Sequence, residues 1–214
     1  MERRCAMFAN NRTLAEHCLK LLRRRLLRNP ELHSKYSSFM DSLFENGHAR
    51  QVPENRLKHP VGPVWYLPHH QVVNPNKPDK VCVVFDCAAR CDEVSLNSTL
   101  LQGPGLANNL IGVLTRFCQE PVAEMADIKA MFHQVYVNPK DCDALRFLWW
   151  PGNDLNSDPA EHQMLVYVFG AISSPSCSHS GLPHTADNNQ DVFSREVIDT
   201  VRQNFCGDDC LKSV

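Results

Sequence analysis

Asn204-Phe-Cys-Gly-Asp-Asp-Cys-Leu-Lys-Ser213 is the stretch whose reading decides the fold. Two short segments, 201–206 and 210–214, flank a Gly-Asp step. Glycine is favoured at the first central position of a type II′ turn, so the stretch predicts a β-hairpin with Gly207 and Asp208 at its tip. Asp208 and Asp209 are then adjacent carboxylates displayed on a tight turn, and their mutual repulsion makes the turn a candidate cation site. Upstream, Pro121-Val-Ala-Glu-Met-Ala-Asp127 predicts a short strand ending in a third carboxylate. Carboxylates on neighbouring strand ends form a cage of hard oxygen donors suited to Mg²⁺. Two such ions, roughly 3.5–4 Å apart, stabilise the attacking and leaving oxygens of an in-line phosphoryl transfer. Taken singly, the same residues have plainer readings: Asp208-Asp209 as a solvated turn, and Asp127 as a helix cap.

Around this pair of segments the pattern is mixed. Residues 13–28 have helical periodicity through Leu14, Leu19, Leu22 and Leu26 and stop at Asn29-Pro30. Residues 31–46 predict a second amphipathic helix carrying Tyr36, Met40, Leu43 and Phe44, closed by Gly47. Short strands such as 64–67 alternate with proline-rich turns, and 80–86 predicts a buried strand. A helix is expected over 106–117. Strands are expected at 121–127, 132–137, 144–150 and 164–169, and a mainly helical stretch at 174–201. Strands, helices and a hairpin without regular βαβ alternation indicate an α+β fold.

Composition excludes several classes. The 214 residues carry a formal net charge of −2, so no global basic field advertises nucleic acid. The local exception is Arg23-Arg24-Arg25 with Lys20 and Arg28, on the first predicted helix. It reads either as a solvated face or as a phosphate contact. No apolar run reaches the length of a membrane span, and the start Met-Glu-Arg-Arg-Cys lacks a signal-peptide core. The expected setting is intracellular, cytoplasmic or nuclear, with the ten cysteines mostly free thiols. Cys82, Cys87 and Cys91 lack paired Cys-x-x-Cys spacing, Cys177 and His179 are too close for a finger half, and Cys206 and Cys210 merely flank the Asp pair. Structural zinc is therefore not expected.

Pro121 to Val135 resembles motif A of reverse transcriptases. Ala144-Leu-Arg-Phe-Leu-Trp-Trp-Pro151, Phe169-Gly-Ala-Ile-Ser-Ser-Pro175 and the Asn204–Ser213 hairpin follow in the order that family uses. Pro68-His-His-Gln-Val, Val83-Val-Phe-Asp86 and Ser95-Leu-Asn-Ser-Thr-Leu-Leu-Gln-Gly-Pro104 make the whole similar to the BEL/Pao class of long-terminal-repeat retrotransposons. The resemblance implies a right-hand polymerase with an antiparallel palm sheet. It divides the chain into an N-terminal helical segment (1–50), a fingers-like region (51–120) and a palm-like region (121–214). It implies RNA-directed DNA synthesis on an RNA or DNA template-primer from dNTPs with two Mg²⁺ ions, held by Asp127, Asp208 and Asp209. Nucleotide contacts fall on Lys80, on the backbone around Ala130 and Met131, on Phe132 as a steric gate against the ribose 2′-OH, and on Phe169 and Gly170. Phe169 has the alternative reading of an ordinary core aromatic. Cys206 and Gly207 fall on primer and template positions.

Departures from the family point to impaired catalysis, the alternative being an inactive retrotransposon-derived fragment that binds nucleic acid or protein. Cys82 stands four residues before Asp86, where the family carries a triphosphate-gripping Arg. It lacks both the charge and the donor fork, a loss of about 2–5 kcal/mol that Lys77 or Lys80 offsets only in part. Cys206 replaces a Tyr and Gly207 a Val, while Cys118 and Cys142 sit where relatives have Arg. Repeated Arg-to-Cys change reads as CpG-type point decay. On a strand, Glu124 has the opposite parity to Asp127, so it is expected to point, unpaired, into a packed helical layer. Only five residues follow Asp209, so the rest of the palm, the thumb and any RNase H domain are expected to be missing.

Overall fold

The computed structural model describes residues 10–73 and 81–214. The chain runs through α1 (Arg12–Arg28), α2 (Pro30–Glu45), β1 (Ala49–Gln51), α3 (Glu54–Lys58), β2 (His69–Val73), β3 (Val81–Phe85) and α4 (Leu96–Thr99). It continues through α5 (Leu110–Phe117), β4 (Ala123–Asp127), β5 (Arg146–Trp149) and β6 (Ala160–Met164). It ends with α6 (Ser174–Asn188), α7 (Arg195–Gln203), β7 (Phe205–Cys206) and β8 (Asp209–Ser213). Helices are thus mixed with antiparallel strand pairs, as the sequence pattern predicts. Among the described residues no helix is long and apolar enough to cross a membrane.

Contacts divide the chain into two compact units. One contains the described residues up to Leu100 together with Tyr136–Ala171, and the other Leu101–Val135 and Ile172–Val214. The chain passes between them three times.

The first unit holds a dense apolar core. Leu19, Leu22 and Leu26 form the buried row of α1, and Tyr36, Met40 and Leu43 that of α2. Asn29 ends the first helix and starts the second: its side-chain oxygen accepts the Leu32 N–H at 3.0 Å, and Pro30 supplies a pre-set φ at the first helical position. The helices cover an antiparallel sheet in the order β1-β6-β5, and β2 pairs with β3 as a separate ribbon. Tyr36 stacks on Trp149 with ring centroids 5.2 Å apart.

A polar network is built into this core. Asp143 is fully buried and Arg146 nearly so, with Nη2 of Arg146 2.7 Å from Oδ1 of Asp143. The same guanidinium reaches Glu161 at 2.9 Å and donates to the Arg56 carbonyl at 2.9 Å. Asp143 also accepts from Arg56 at 3.3 Å and from the Val61 N–H at 3.1 Å. Tyr66 donates to Glu161 at 2.8 Å, and Arg12 pairs with the same carboxylate. A buried charge set of this kind holds only while each member has its partners.

His69 lies within reach of this aromatic layer. The Leu148 carbonyl, 3.0 Å from Nε2, can only accept, so Nε2 carries the proton and Nδ1 accepts from the Tyr36 hydroxyl at 2.5 Å. Burial pushes the His69 pKa down to about 4. His162, stacked on Phe147 at 5.4 Å, is also pushed down to about 4 by burial.

The second unit has a three-stranded sheet in the order β4-β8-β7, with α5, α6 and α7. Its buried apolar residues are Val113, Met131, Ala186 and Ile198. All five residues of β4 are exposed.

Several sequence expectations are corrected here. Residues 64–67 form no strand: Tyr66 makes one isolated bridge to Arg146. The 80–86 strand is half-buried rather than buried, because it belongs to a two-stranded ribbon in which Val83 and Phe85 face inward and Cys82 is exposed. Lys77 and Lys80 lie outside the described residues. The helix expected from 106 begins at Leu110, where the Asn109 side chain caps the N–H groups of Ile111 and Gly112. In place of the strand expected at 132–137 stands a 3₁₀ turn, Met131–Gln134, opened by Ala130 in a left-handed conformation, and beyond it Tyr136 makes one isolated bridge to Val166. The strand expected at 164–169 lies earlier, at Ala160–Met164, registered on both Ala49–Gln51 and Arg146–Trp149. The 174–201 stretch splits into α6 and α7, the second capped by Ser194.

Candidate functional site

The hairpin forms with the turn that glycine predicts. Cys206 pairs with Asp209, leaving Gly207 and Asp208 as the two-residue loop. Gly207 has φ +73°, a left-handed value that a Cβ-bearing residue adopts with strain, while Asp208 is not in that region. Positive φ at the first central position alone is the type II′ signature.

The hydrogen-bond ladder fixes how the carboxylates meet. Val122 and Val214 exchange both backbone hydrogen bonds, at 3.1 and 2.8 Å, and the Ile128 N–H donates to the Asp208 carbonyl at 2.9 Å. Asp127 lies opposite Asp209 in the register between them. Alternation from the Val122–Val214 pair makes Asp127–Asp209 a non-hydrogen-bonded pair, the kind with Cα atoms about 4.5 Å apart and side chains in closest approach. Asp208 adjoins Asp209 across one peptide, about 3.8 Å between Cα atoms. All three residues are exposed, and none makes an ion pair among the described residues. Like charges directly opposed across strands are destabilising, so the pair is held against its own repulsion.

The three carboxylates supply hard oxygen donors from adjacent backbone positions, the donor type that Mg²⁺ takes. Their side chains do not converge, however. Among the described residues no group of three or more His, Cys, Asp or Glu side chains is gathered closely enough to hold a metal ion.

Ala130 follows Asp127 by three residues and has φ +50°. A non-glycine residue held there costs on the order of 1 kcal/mol, and such strain clusters at ligand-binding segments. It opens the 3₁₀ turn in which Met131 is buried and Phe132 half-buried. This turn packs against α6 within the same unit. The Lys129 carbonyl accepts from the Gln134 amide at 3.0 Å, which closes the loop.

Glu124 departs from the sequence expectation. It is exposed rather than packed beneath helices, because β4 is an edge strand. Its register partner is Lys212, whose ammonium pairs with Glu196 at 2.6 Å. Cys206 is half-buried on β7, and nothing lies within 4 Å of a Cβ built on Gly207.

Phe169 and Gly170 belong to the first unit. Phe169 is 68% exposed, so it is not a core aromatic. Gly170 has φ +101°, and its carbonyl accepts from the Asn97 amide at 2.9 Å. Cys82 is exposed on β3 opposite Val72.

Sequence reasoning missed the Asp143–Arg146–Glu161 network and the buried His69. The partners of Arg146 lie up to 90 residues away in sequence, and Arg12 reaches the same Glu161 from 149 residues away. No local signal announces such a cluster.

No protein-family profile matches the chain, and no curated protein does. Solved structures do. The structure of a foamy viral protease–reverse transcriptase in complex with double-stranded DNA superposes with a TM-score of 0.56 at 16% identity, covering 85% of this chain. The chain spans 26% of that protein's length. The likeness establishes a reverse-transcriptase-like fold.

Proposed function

We propose that the chain is a reverse-transcriptase domain of BEL/Pao retrotransposon type, an RNA-directed DNA polymerase with weakened nucleotidyl transfer. The observation that carries the reading is the cross-strand opposition of Asp127 and Asp209 with Asp208 in the adjoining turn. It stands on a fold similar to that of a reverse transcriptase solved with duplex DNA. In this reading residues 51–120 are fingers-like, and 121–214 are palm-like with the β4-β8-β7 sheet at the centre.

Asp127, Asp208 and Asp209 are the groups that would hold two Mg²⁺ ions, after a rearrangement that gathers their side chains. Mg²⁺ there would supply charge stabilisation at the attacking and leaving oxygens of phosphoryl transfer. The protein's own part is position and electrostatics. Backbone N–H groups around Ala130 and Met131 orient the triphosphate of a dNTP, and the Phe132 ring excludes a ribose 2′-OH. Phe169 and Gly170 contact the incoming nucleotide and template, and Cys206 and Gly207 the primer end. Lys80 supplies charge that Cys82 does not.

A second reading, a catalytically silent fragment that binds nucleic acid or protein, is favoured by two specific observations. The three carboxylate side chains do not form a gathered group, and Cys82 stands exposed where the family has Arg. Primer extension on an RNA template with dNTPs and Mg²⁺ separates the two. The expected result is slow extension that Asp208→Asn abolishes. Equal signal from both proteins, or none from folded parent protein, sinks the polymerase reading and leaves the second.

A further inference from the structure

The basic run on α1 has an arrangement that composition alone does not give. Residues 17–30 contain Lys20, Arg23, Arg24, Arg25 and Arg28 and no Asp or Glu. Arg23 turns back on the protein, donating to the Leu155 carbonyl at 2.5 Å and lying 3.4 Å from the Asn156 side-chain oxygen. Lys20, Arg24, Arg25 and Arg28 are exposed, and none makes an ion pair among the described residues.

Lys20, Arg24 and Arg28 recur at i, i+4 and i+8. At 3.6 residues per turn they occupy a sector of about 80°, with about 6 Å of rise between neighbours. That sector lies diametrically opposite the buried row of Ala15, Leu19, Leu22 and Leu26. The cations therefore form a straight outward row, and their repeat is comparable to the distance between successive phosphates of one nucleic-acid strand. They also repel one another, most at Arg24 and Arg28, and a polyanion relieves this. An anionic bilayer fits less well. The apolar face of α1 is already spent in the core, leaving only Leu21 and Leu27, 49% and 54% exposed, beside the cations.

We propose that the outer face of α1 is a binding strip for the phosphate backbone of nucleic acid, with Lys20, Arg24 and Arg28 as its contacts. The strip is chiefly sequence-neutral, because its cations meet phosphates rather than base edges. Arg24 and Arg28 contribute most. Lys20 borders a shallow pocket that also contains Glu16 and Asp158, which dilute its charge. The strip deepens the nucleic-acid side of the function proposed above and rests on that reading, but its chemistry is independent of the aspartates.

The test is fluorescence anisotropy of the full chain with a short labelled DNA duplex, in EDTA, across a salt series. The triple variant Lys20→Gln/Arg24→Gln/Arg28→Gln should fold as the parent does, because all three side chains are exposed, and matching thermal midpoints check this. The plot of log affinity against log salt should flatten by about 2–3 in slope, at roughly 0.9 per lost phosphate contact. A charge-matched control, Lys58→Gln/Arg90→Gln/Lys140→Gln, should keep the parent slope. An unchanged slope in the α1 triple, or equal flattening in both triples, overturns the proposal. So does α1-dependent binding to phosphatidylserine vesicles without α1-dependent duplex binding. Asp208→Asn should bind as the parent does. If it loses extension while the α1 triple binds normally, only the strip falls. If extension is absent but duplex binding depends on α1, only the polymerase reading falls.

Discussion

The two units of this chain are built on opposite principles. The first has one continuous apolar core, from Leu19 on α1 through Trp65 and Phe147 to Met164, with charges sealed inside it. The second buries four apolar residues, leaves β4 fully exposed, and displays Leu101, Ile111, Met125 and Val192 at 72–76% exposure. The carboxylates belong to the sparse unit. Stability is thus concentrated where the three carboxylates are not, as expected when a site must hold like charges close together.

The comparison breaks most readily at Arg146. Its guanidinium is the hub of the sealed network, and Arg146→Leu leaves Asp143 fully buried without its closest partner. The expected cost is about 3–5 kcal/mol, read as a lowered urea midpoint. A loss under about 1 kcal/mol would mean that the core is wet and the contrast between units false.

Acid sharpens the same contrast. His69 and His162 have pKa values of about 4 in the folded protein, against an ordinary 6.5. Between these values the unfolded chain binds more protons than the folded one, so stability rises with pH across this window. It is fully present above pH 6.5, falls as pH drops towards 4, and is lost no further below that. Each histidine accounts for about 3 kcal/mol over the window. Urea midpoints measured from pH 7 to pH 4 should therefore fall, and His69→Gln should remove roughly half of the fall. A flat profile would show that neither ring is sealed from water.

The sequence reveals the two units unequally. α1 and α2 are legible because their apolar residues recur at helical spacing and Asn29-Pro30 punctuates them. The hairpin is legible because Gly207 demands one turn type, and that turn then fixes the register that sets Asp209 against Asp127. What fails is what depends on distant partners. Residues 132–137 have strand composition, yet Ala130 in a left-handed conformation converts their start to a 3₁₀ turn. Glu124 has the parity of a buried position, but no helix covers that part of an edge strand. The network around Arg146 joins Arg12, Arg56, Asp143 and Glu161, which no local pattern connects.

The smallest effect is the most discriminating for the site. Asp127 and Asp209 form a non-hydrogen-bonded pair, the closest approach of side chains an antiparallel ladder offers, and no cation among the described residues offsets their charges. In metal-free buffer Asp127→Asn removes one charge at nearly constant volume, so the repulsion disappears and little else changes. The expected outcome is a gain of about 0.2–1 kcal/mol, largest at low salt and shrinking as ionic strength screens the parent. Ordinary surface carboxylates behave differently: Glu196→Gln should lose stability, since Glu196 is paired with Lys212 and its pKa is lowered mainly by that hydrogen bond. Opposite signs at Asp127 and Glu196 mean that the strand pair is held in a conformation better suited to a bound cation than to its own stability. The same sign at both removes the electrostatic argument for a site, whatever the fold resembles.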